Sequence, residues 1–256
     1  MPNLIHKSAI IDKSAIIGDN VTIGAYSIIE KGVEIKDGTE IGPFVRITGN
    51  TKIGSKCKIY ENVSIGNPPQ DVKFKGEQIY IEIGDNNILR ESVTIHGGAG
   101  TPTTIGNNNF LMCYVHIAHN CKLGSNIIIA NATQISGVVE IEDYAFISGL
   151  CPVHQFTRIG GHSMIAGGYR VPKDVIPYSL AASDPLKIHG LNIVGLKRRN
   201  FPPKTIKTLK QAFQILLFSN LNTSQALKEM KKELPLIPEV KHLLKFIETS
   251  KRGIVK

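Results

Sequence analysis

Isoleucine or leucine recurs at every sixth position along most of this chain. The series runs without a miss from Ile11 to Ile65 and resumes in the same phase from Ile83 to Ile95. After a shift of four residues it continues from Ile105 to Val171. A period of six fits neither the alternation of an ordinary strand nor the turn of an α-helix. The pattern therefore indicates a repeat architecture.

Small or branched residues stand two positions before many of these aliphatic positions, as Ala9, Val21 and Thr39 do. A large and a small side chain can both face inward on a short strand while the remaining residues of the repeat form a corner. Six-residue repeats of this kind are typical of a parallel β-helix, with three repeats to a coil and coils about 4.8 Å apart. The sequence therefore predicts a mainly β protein.

The residues after the repeats have helical spacing. Apolar residues predict a helix over 204–218, Thr223 is expected to cap a second helix, and Pro238 suits the first turn of a third. Helices folded back on the last coil would cover its open core. We expect a β-helical domain over 1–185 and a helical domain over 186–256.

Two stretches interrupt the repeats and are the places where we expect function to concentrate, because loops on a regular scaffold often carry it. The first lies at about 66–82, GNPPQDVKFKGEQIYIE, and contains Asp71 and Lys73. The second, HGGAGTPTT, lies at 96–104.

Composition narrows the class of protein. A formal net charge of +9 suggests an acidic partner or phosphorylated ligands, although a merely basic protein fits the charge equally well. The amino terminus lacks the apolar segment of a signal peptide, and no apolar run is long enough to span a membrane. Four cysteines without a CxxC pair argue against disulfides and zinc, so we expect a cytoplasmic protein.

The coil length brings polar residues into register. A coil of roughly 18 residues stacks His119, Gly137 and Gln155 at one corner of the prism. His116 lies near the same corner, and His154 adjoins Gln155. The glycine would let a ligand approach the main chain, whose N–H could hold an oxyanion.

At these residues the chain resembles a known family. The segments YVHIAHNC (114–121), PVHQFTRIG (152–160), NPPQDVKFKGE (67–77) and LNIVGLKRRNF (191–201) are similar to those of the UDP-N-acetylglucosamine O-acyltransferases of lipid A biosynthesis. The resemblance covers essentially the whole chain and implies a left-handed β-helix.

The resemblance also implies an activity and its central residues. A 3-hydroxyacyl chain would pass from the phosphopantetheine of acyl carrier protein to the 3-position of UDP-N-acetylglucosamine, the first step of lipid A biosynthesis. His119 matches the general base, a role that suits imidazole, and Gly137 matches the backbone donor to the oxyanion. The family is a homotrimer with sites between subunits, and it needs no metal or further cofactor. No nucleic acid is expected as a partner.

Other positions match substrate contacts of the family. Gly167 matches the residue that limits acyl length, and Asp71 and Lys73 match a loop that contributes from an adjoining subunit. The remaining matches are pocket residues or lie near the nucleotide: His116, His154, Gln155, Asn192, Arg198 and Arg199.

Three residues depart from the pattern that the resemblance leads us to expect. Many members have Asp where this chain has Asn120, His where it has Val138, and Glu where it has Val194. Asn120 and Val138 are 18 residues apart and are therefore stacked neighbours, so the two changes look like a single local change. A weaker partner for His119 leaves open a 3-amino sugar as acceptor, which would give an amide.

Other readings stay open. A hexapeptide carbonic anhydrase would need three histidines converging on zinc across a subunit interface, with His96, His116, His119 and His154 as candidates. The departures also allow an inactive scaffold that still binds the nucleotide sugar. Because the repeats begin by Ile11, we do not expect the amino-terminal uridine-binding domain of the related N-acyltransferase.

Overall fold

Three largely parallel sheets form the faces of a prism in the computed structural model, which describes residues 2–256. Sheet A has 11 strands and sheet B has 8. The strands of sheet A are Leu4–Ile5, Thr22–Ile23, Glu40–Ile41, Lys58–Ile59, Ile88–Leu89, Phe110–Leu111, Ile128–Ile129, Phe146–Ile147, Met164–Ile165, Ser179–Ala182 and Lys187–Leu191. Those of sheet B are Ile10–Ile11, Ile28–Ile29, Arg46–Ile47, Ser64–Asn67, Thr94–His96, His116–Ile117, Gln134–Ile135 and Pro152–Val153.

Sheet C has 9 strands, one of them outside the main path. Its strands are Ile16–Ile17, Glu34–Ile35, Asn50–Ile53, Ile79–Ile83, Thr103–Ile105, Lys122–Leu123, Glu140–Ile141 and Arg158–Ile159, with Gly98–Ala99 paired antiparallel to Ile79–Ile83. The chain visits sheets A, B and C in turn, so each coil has three corners. The predicted parallel β-helix with a carboxyl-terminal helical region is confirmed.

The repeated aliphatic residues fill the interior of this prism. Ile47, Ile117 and Ile147, one from each of three coils, have no measurable exposure. The small residues two positions earlier also point inward: Cys57, Cys121 and Cys151 are buried free thiols. Most strands are only two residues long, and in each the residue before the inward aliphatic side chain points outward. Hydrogen bonds from one coil to the next, such as Thr22 N to Thr39 O at 3.0 Å, connect the stack.

The corners explain the residue types that follow each inward aliphatic. The third residue after it usually has a positive φ, as in Asn20, Asn86, Asn108 and Asn126. Asparagine is the non-glycine residue that most readily adopts this left-handed region, because its short polar side chain bonds locally. The sequence thus encodes both the faces and the corners of the prism.

Both insertions lie at the corner between sheets B and C. The first runs from Asn67 to Ile79, where sheet C resumes. The second is short: Gly98 pairs with Tyr80 and Ala99 with Ile79, so the two insertions contact each other. The insertions lengthen the coil without breaking the stack, because Ile65 still pairs with Ile95 and Ile95 with Ile117.

Four helices follow the prism: α1 (Ile193–Arg198), α2 (Pro203–Leu217), α3 (Thr223–Glu233) and α4 (Pro238–Glu248). The predictions of α2 and of Pro238 in the first turn of α4 are confirmed. The predicted cap at Thr223 is wrong by one residue, since Asn222 caps α3 in a reciprocal capping box with Gln225. The sequence did not predict α1.

The helices pack on the last coils and continue their core. Ile176 of the prism and Leu196, Phe213 and Phe246 of the helices belong to one buried cluster. The division into 1–185 and 186–256 stays a prediction. The hairpin that ends sheet A, formed by Ser179–Ala182 and Lys187–Leu191, spans this boundary. None of the helices within residues 2–256 has both the length and the apolar character that crossing a bilayer requires.

Candidate active site at the corner between sheets B and C

His119, Gly137 and Gln155 occupy the same place in three successive coils. The registers that align Ile117 with Ile135 and Ile135 with Val153 put these residues in one column at the B–C corner. His119 is half-buried, Gly137 is buried and Gln155 is exposed. The His119 ring occupies the space beside Gly137: a Cβ there would lie 2.6 Å from His119 Nε2.

The neighbouring residue Asn120 fixes the His119 ring. Its Oδ1 lies 2.8 Å from His119 Nδ1. Its Nδ2 donates to two backbone carbonyls of the second insertion, Ala99 O at 3.0 Å and Thr101 O at 2.7 Å. These contacts leave Nε2 as the nitrogen that faces the column.

Two more histidines lie beside this one. The rings of His96 and His116 meet edge to face with their centroids 4.8 Å apart, and Thr94 Oγ1 lies 2.8 Å from His116 Nδ1. Burial lowers the pKa of His116 to about 4, with the neighbouring His96 and His119 contributing in the same direction. Burial also lowers the pKa of His96. Both rings are therefore neutral near pH 7, and each has one donor and one acceptor nitrogen.

His154 and Gln155, two further candidate residues, lie together in the last coil of this column. His154 Nδ1 contacts Gln155 O at 3.1 Å, which keeps the His154 ring close to the main chain. The Gln155 side chain is exposed. Both residues lie two coils beyond His119 on the same corner.

The first insertion lies on this corner too, two coils before His119. Asp71 Oδ1 accepts the backbone N–H of Lys73 at 2.9 Å, and both residues are exposed. The register from Ile65 through Ile95 to Ile117 separates this loop from His119 along the stack. Within residues 2–256, neither Asp71 nor Lys73 forms a hydrogen bond or an ion pair with the histidines.

The residues expected near the nucleotide lie at a different corner, between sheets C and A. Asn192 caps α1 by accepting from Gly195 N at 3.1 Å, and its Nδ2 donates to His162 O at 3.0 Å. The Arg199 guanidinium lies 4.2 Å from the centre of the Tyr144 ring. Burial lowers the Arg199 pKa. Arg198 and Val194 are exposed on α1.

Gly167 lies at the third corner, between sheets A and B, directly after Met164–Ile165. It is exposed, and a Cβ there would lie no closer than 3.2 Å to Gly149 O. The candidate residues thus divide among all three corners of one chain. The structure brings His119, Gly137, His116 and His96 together, and it separates them from Gly167, Asn192 and Arg199 by whole sheet faces.

Comparisons with known proteins identify the architecture. The carboxyl-terminal family described as UDP N-acetylglucosamine O-acyltransferase, domain 2, matches residues 174–255, and the bacterial transferase hexapeptide family matches 14–49, 32–67 and 102–137. An acyl-[acyl-carrier-protein]–UDP-N-acetylglucosamine O-acyltransferase from Thermodesulfovibrio yellowstonii is 50% identical over 99% of this chain and 100% of its own length. This chain belongs to the UDP-N-acetylglucosamine O-acyltransferase family.

Solved structures agree. A UDP-N-acetylglucosamine acyltransferase from Bacteroides fragilis superposes with a TM-score of 0.97 at 42% identity, covering 99% of this chain and 100% of that one. The enzyme of the same name from Arabidopsis gives a TM-score of 0.88 at 33% identity, covering 99% and 100%. Within residues 2–256, no three side chains of His, Cys, Asp or Glu converge as one metal site. The zinc alternative takes ligands from two subunits, so the metal content of the purified protein tests it.

Two residues that depart from the expected family pattern stand at consecutive turns of the B–C corner. Asn120 has a φ of 58° and Val138 a φ of 59°. Asparagine suits this conformation, whereas a β-branched residue there is strained. Val138 N donates to His119 O at 3.0 Å, which holds the strained residue beside the column of His119 and Gly137.

Sequence reasoning missed the groups that support the histidines. Thr103 Oγ1 accepts from Asn120 N and donates to His96 O, both at 2.8 Å. Thr94 contacts His116. The threonines of the second insertion and the adjoining strands were the available signal, but their partners depend on the path of the loop.

Proposed function

We propose that this chain transfers a 3-hydroxyacyl group from acyl carrier protein to the 3-hydroxyl of UDP-N-acetylglucosamine, with His119 as general base. Its membership of the family and its full-length similarity to enzymes of that name support the activity. The observation that carries the role of His119 is its geometry. Nδ1 is engaged by Asn120, and Nε2 faces Gly137 in the next coil.

The reaction follows from these groups. His119 Nε2 removes the proton of the 3-hydroxyl while that oxygen attacks the thioester carbonyl. The Gly137 N–H stabilises the negative oxygen of the tetrahedral intermediate. When the intermediate collapses, the C–S bond breaks and the imidazolium returns its proton to the departing pantetheine thiolate. The products are the 3-O-acyl nucleotide sugar and the free thiol of the carrier protein.

The corner main chain can hold an anionic oxygen at the position of Gly137. At the C–A corner the equivalent residues donate their N–H groups to carboxylate oxygens of the next coil. The distances are 2.9 Å from Asp19 to Asp37 and 2.7 Å from Ser125 to Asp143. Within residues 2–256, the Gly137 N–H has no such partner. It is therefore free to donate to a substrate oxygen.

Nucleotide recognition falls to α1 and its surroundings. Arg198 and Arg199 place two guanidinium groups at the carboxyl end of α1, and such groups suit a diphosphate. Asn192 already uses Oδ1 and one Nδ2 proton inside the protein, which leaves its second Nδ2 proton for a ligand. Asp71, Lys73, His116, His154 and Gln155 complete the proposed substrate contacts, and Gly167 limits acyl length.

A homotrimer with shared sites accounts for the division of these residues among three corners. One chain holds the B–C, C–A and A–B corners apart, whereas neighbouring copies around a threefold axis can bring different corners together. Sheet A also carries an outward apolar strip, whereas sheet C is charged. The strip comprises Ile88, Phe110, Ile128, Phe146 and Met164. A second copy of the chain is the occupant we propose for it.

The partner of His119 bears on the choice of acceptor. Asn120 orients His119 but carries no charge to stabilise an imidazolium, and a 3-amino group demands less from a base than a hydroxyl does. We favour the hydroxyl because the hydrogen bond with Asn120 still orients the His119 ring, even without a charge. A competition between UDP-N-acetylglucosamine and its 3-amino analogue decides the question through their kcat/KM values.

Two general properties fit this function. Four free thiols, three of them buried, suit the reducing conditions of the cytoplasm. The positive net charge suits phosphorylated substrates.

The test is a transfer assay with the purified protein, UDP-N-acetylglucosamine and a series of 3-hydroxyacyl carrier protein thioesters. We expect one UDP-sugar product with a single acyl group, located at O-3 by NMR. Intact binding of the UDP-sugar without transfer from any donor would instead support the inactive scaffold.

A further inference from the structure

The Asn120 side chain sits between two different kinds of partner. Its outer end contacts Ala99 O at 3.0 Å and Thr101 O at 2.7 Å, and it also reaches Thr101 Oγ1 at 3.0 Å. Backbone carbonyls only accept hydrogen bonds, so the atom facing them must be the amide nitrogen. The amide oxygen then faces His119 Nδ1 at 2.8 Å.

The orientation of this amide determines the tautomer of His119. An amide oxygen can only accept, so His119 Nδ1 carries the proton and donates to it. Nε2 is then the unprotonated nitrogen, which a general base requires. The two loop carbonyls therefore act on the ring through Asn120, although neither touches it.

The loop that supplies these carbonyls is held from several sides. A Cβ on Gly98 would lie 2.2 Å from Thr101 O, so only glycine permits this loop path. The backbone pairs Ile79–Ala99 and Tyr80–Gly98 fasten it to the strand that follows the first insertion. Thr103 Oγ1 accepts from Asn120 N at 2.8 Å.

We propose that the second insertion, 96–104, is a positioning element that requires an amide at residue 120 and would reject a carboxylate. An aspartate there would direct an anionic oxygen at two carbonyl oxygens within about 3 Å. The Thr101 hydroxyl, at 3.0 Å, could donate one hydrogen bond to that oxygen, against the repulsion of two carbonyls. The departure at Asn120 is thus matched to this loop. The proposal rests on His119 being the base of the proposed reaction.

The direct test is ¹⁵N NMR of the histidine rings in the full-length wild-type protein near pH 8. The His119 signals are assigned as those missing from the spectrum of His119→Gln. We expect the Nδ1–H tautomer. An Nε2–H tautomer at His119 would overturn the proposal. This readout does not depend on activity, so it stays decisive even if His119→Ala remains active and the proposed role of His119 fails.

A pair of variants tests the preference for an amide. Asn120→Asp should lower kcat by about 10²-fold at pH 7.5, the size expected when a reacting group is displaced by about an ångström. It should also lower the melting temperature, and this loss should become smaller on acidification as the new carboxyl group is protonated. Asn126→Asp is the control: it has a φ of 60° at the equivalent turn of the C–A corner and should change neither.

Wild-type kcat in Asn120→Asp would contradict the proposal. If Asn120→Asp does not fold, Asn120→Ala separates the effects. It removes the bond to His119 without adding a charge, so we expect it to fold and to show both tautomers in the NMR spectrum. A single Nδ1–H tautomer in Asn120→Ala would show that other groups orient the ring, which also overturns the proposal.

Discussion

The imidazole of His119 lies directly against Gly137 of the next coil, so close that a Cβ on residue 137 would be 2.6 Å from Nε2. The glycine therefore serves two purposes in one place. It leaves room for the ring of the proposed general base, and its N–H is available to an oxyanion in the proposed reaction. His119 and Gly137 are one coil apart, about 4.8 Å along the stack.

Gly137→Ala tests this relationship. The added methyl group should push the imidazole out of position and lower kcat by about 10²-fold, while the fold remains because the φ of Gly137 is not positive. Steady-state kinetics and circular dichroism measure the two effects. Gly161→Ala adds a methyl at the equivalent position of the C–A corner, with its nearest contact at 3.0 Å, and should stay active. A Gly137→Ala enzyme with wild-type kcat would show that the ring is not held where we describe it.

The proposed sharing of sites between subunits predicts complementation. An inactive His119→Ala chain mixed with an inactive Lys73→Ala chain should regain part of the wild-type rate, because some sites then receive His119 from one chain and Lys73 from the other. The measurement is transfer activity after unfolding and refolding the mixture, with mixed trimers verified by mass spectrometry. No recovery in verified mixed trimers would place both residues in the same chain's site.

Strain at the B–C corner predicts a stabilising substitution. Val138 is β-branched, exposed and at a φ of 59°. Val138→Asn should raise the free energy of unfolding by about 1 kcal/mol, since asparagine tolerates the left-handed region. Val138→Thr keeps the branch and should give no gain. Denaturant unfolding compares the three proteins, and equal stability of the Asn and Thr variants would argue against strain.

His162 predicts loss of stability in acid. Its ring stacks on Tyr144 with centroids 4.8 Å apart, and burial lowers its pKa to about 4. An unfolded histidine titrates near 6.5, so only the unfolded chain takes up this proton between about pH 6.5 and 4. Stability therefore falls as the pH drops through that window.

His162→Phe removes the titrating group and should lose less melting temperature than the wild type between pH 8 and pH 5. His189→Gln, which changes an exposed ring, is the control and should follow the wild type. An identical acid loss in His162→Phe would assign the effect to other groups.

The period of the sequence was sufficient to predict the prism. Each repeated aliphatic residue marks the inner face of a strand, and the constant spacing gives the length of a coil. The column of His119, Gly137 and Gln155 could therefore be predicted by counting residues. The same counting places Gly167 two residues after an inward residue of sheet A. The division of the site among three corners could thus be derived from the sequence once the order of the sheets was known.

The parts that the sequence did not reveal depend on irregular backbone. The contacts of Asn120 with Ala99 and Thr101 require the path of an insertion that has no period. Helix α1 is only 6 residues long, too short for helical spacing to be visible. The cap of α3 is Asn222 rather than Thr223, and this miss has a different origin, because capping propensity ranks asparagine above threonine.

The turnover of His119→Ala tests the central claim most directly. With UDP-N-acetylglucosamine and the best carrier protein thioester, kcat should fall by about 10²- to 10⁴-fold, while the melting temperature and the Kd for the UDP-sugar stay close to those of the wild type. A folded His119→Ala protein that retains kcat within a few-fold of the wild type would contradict the account.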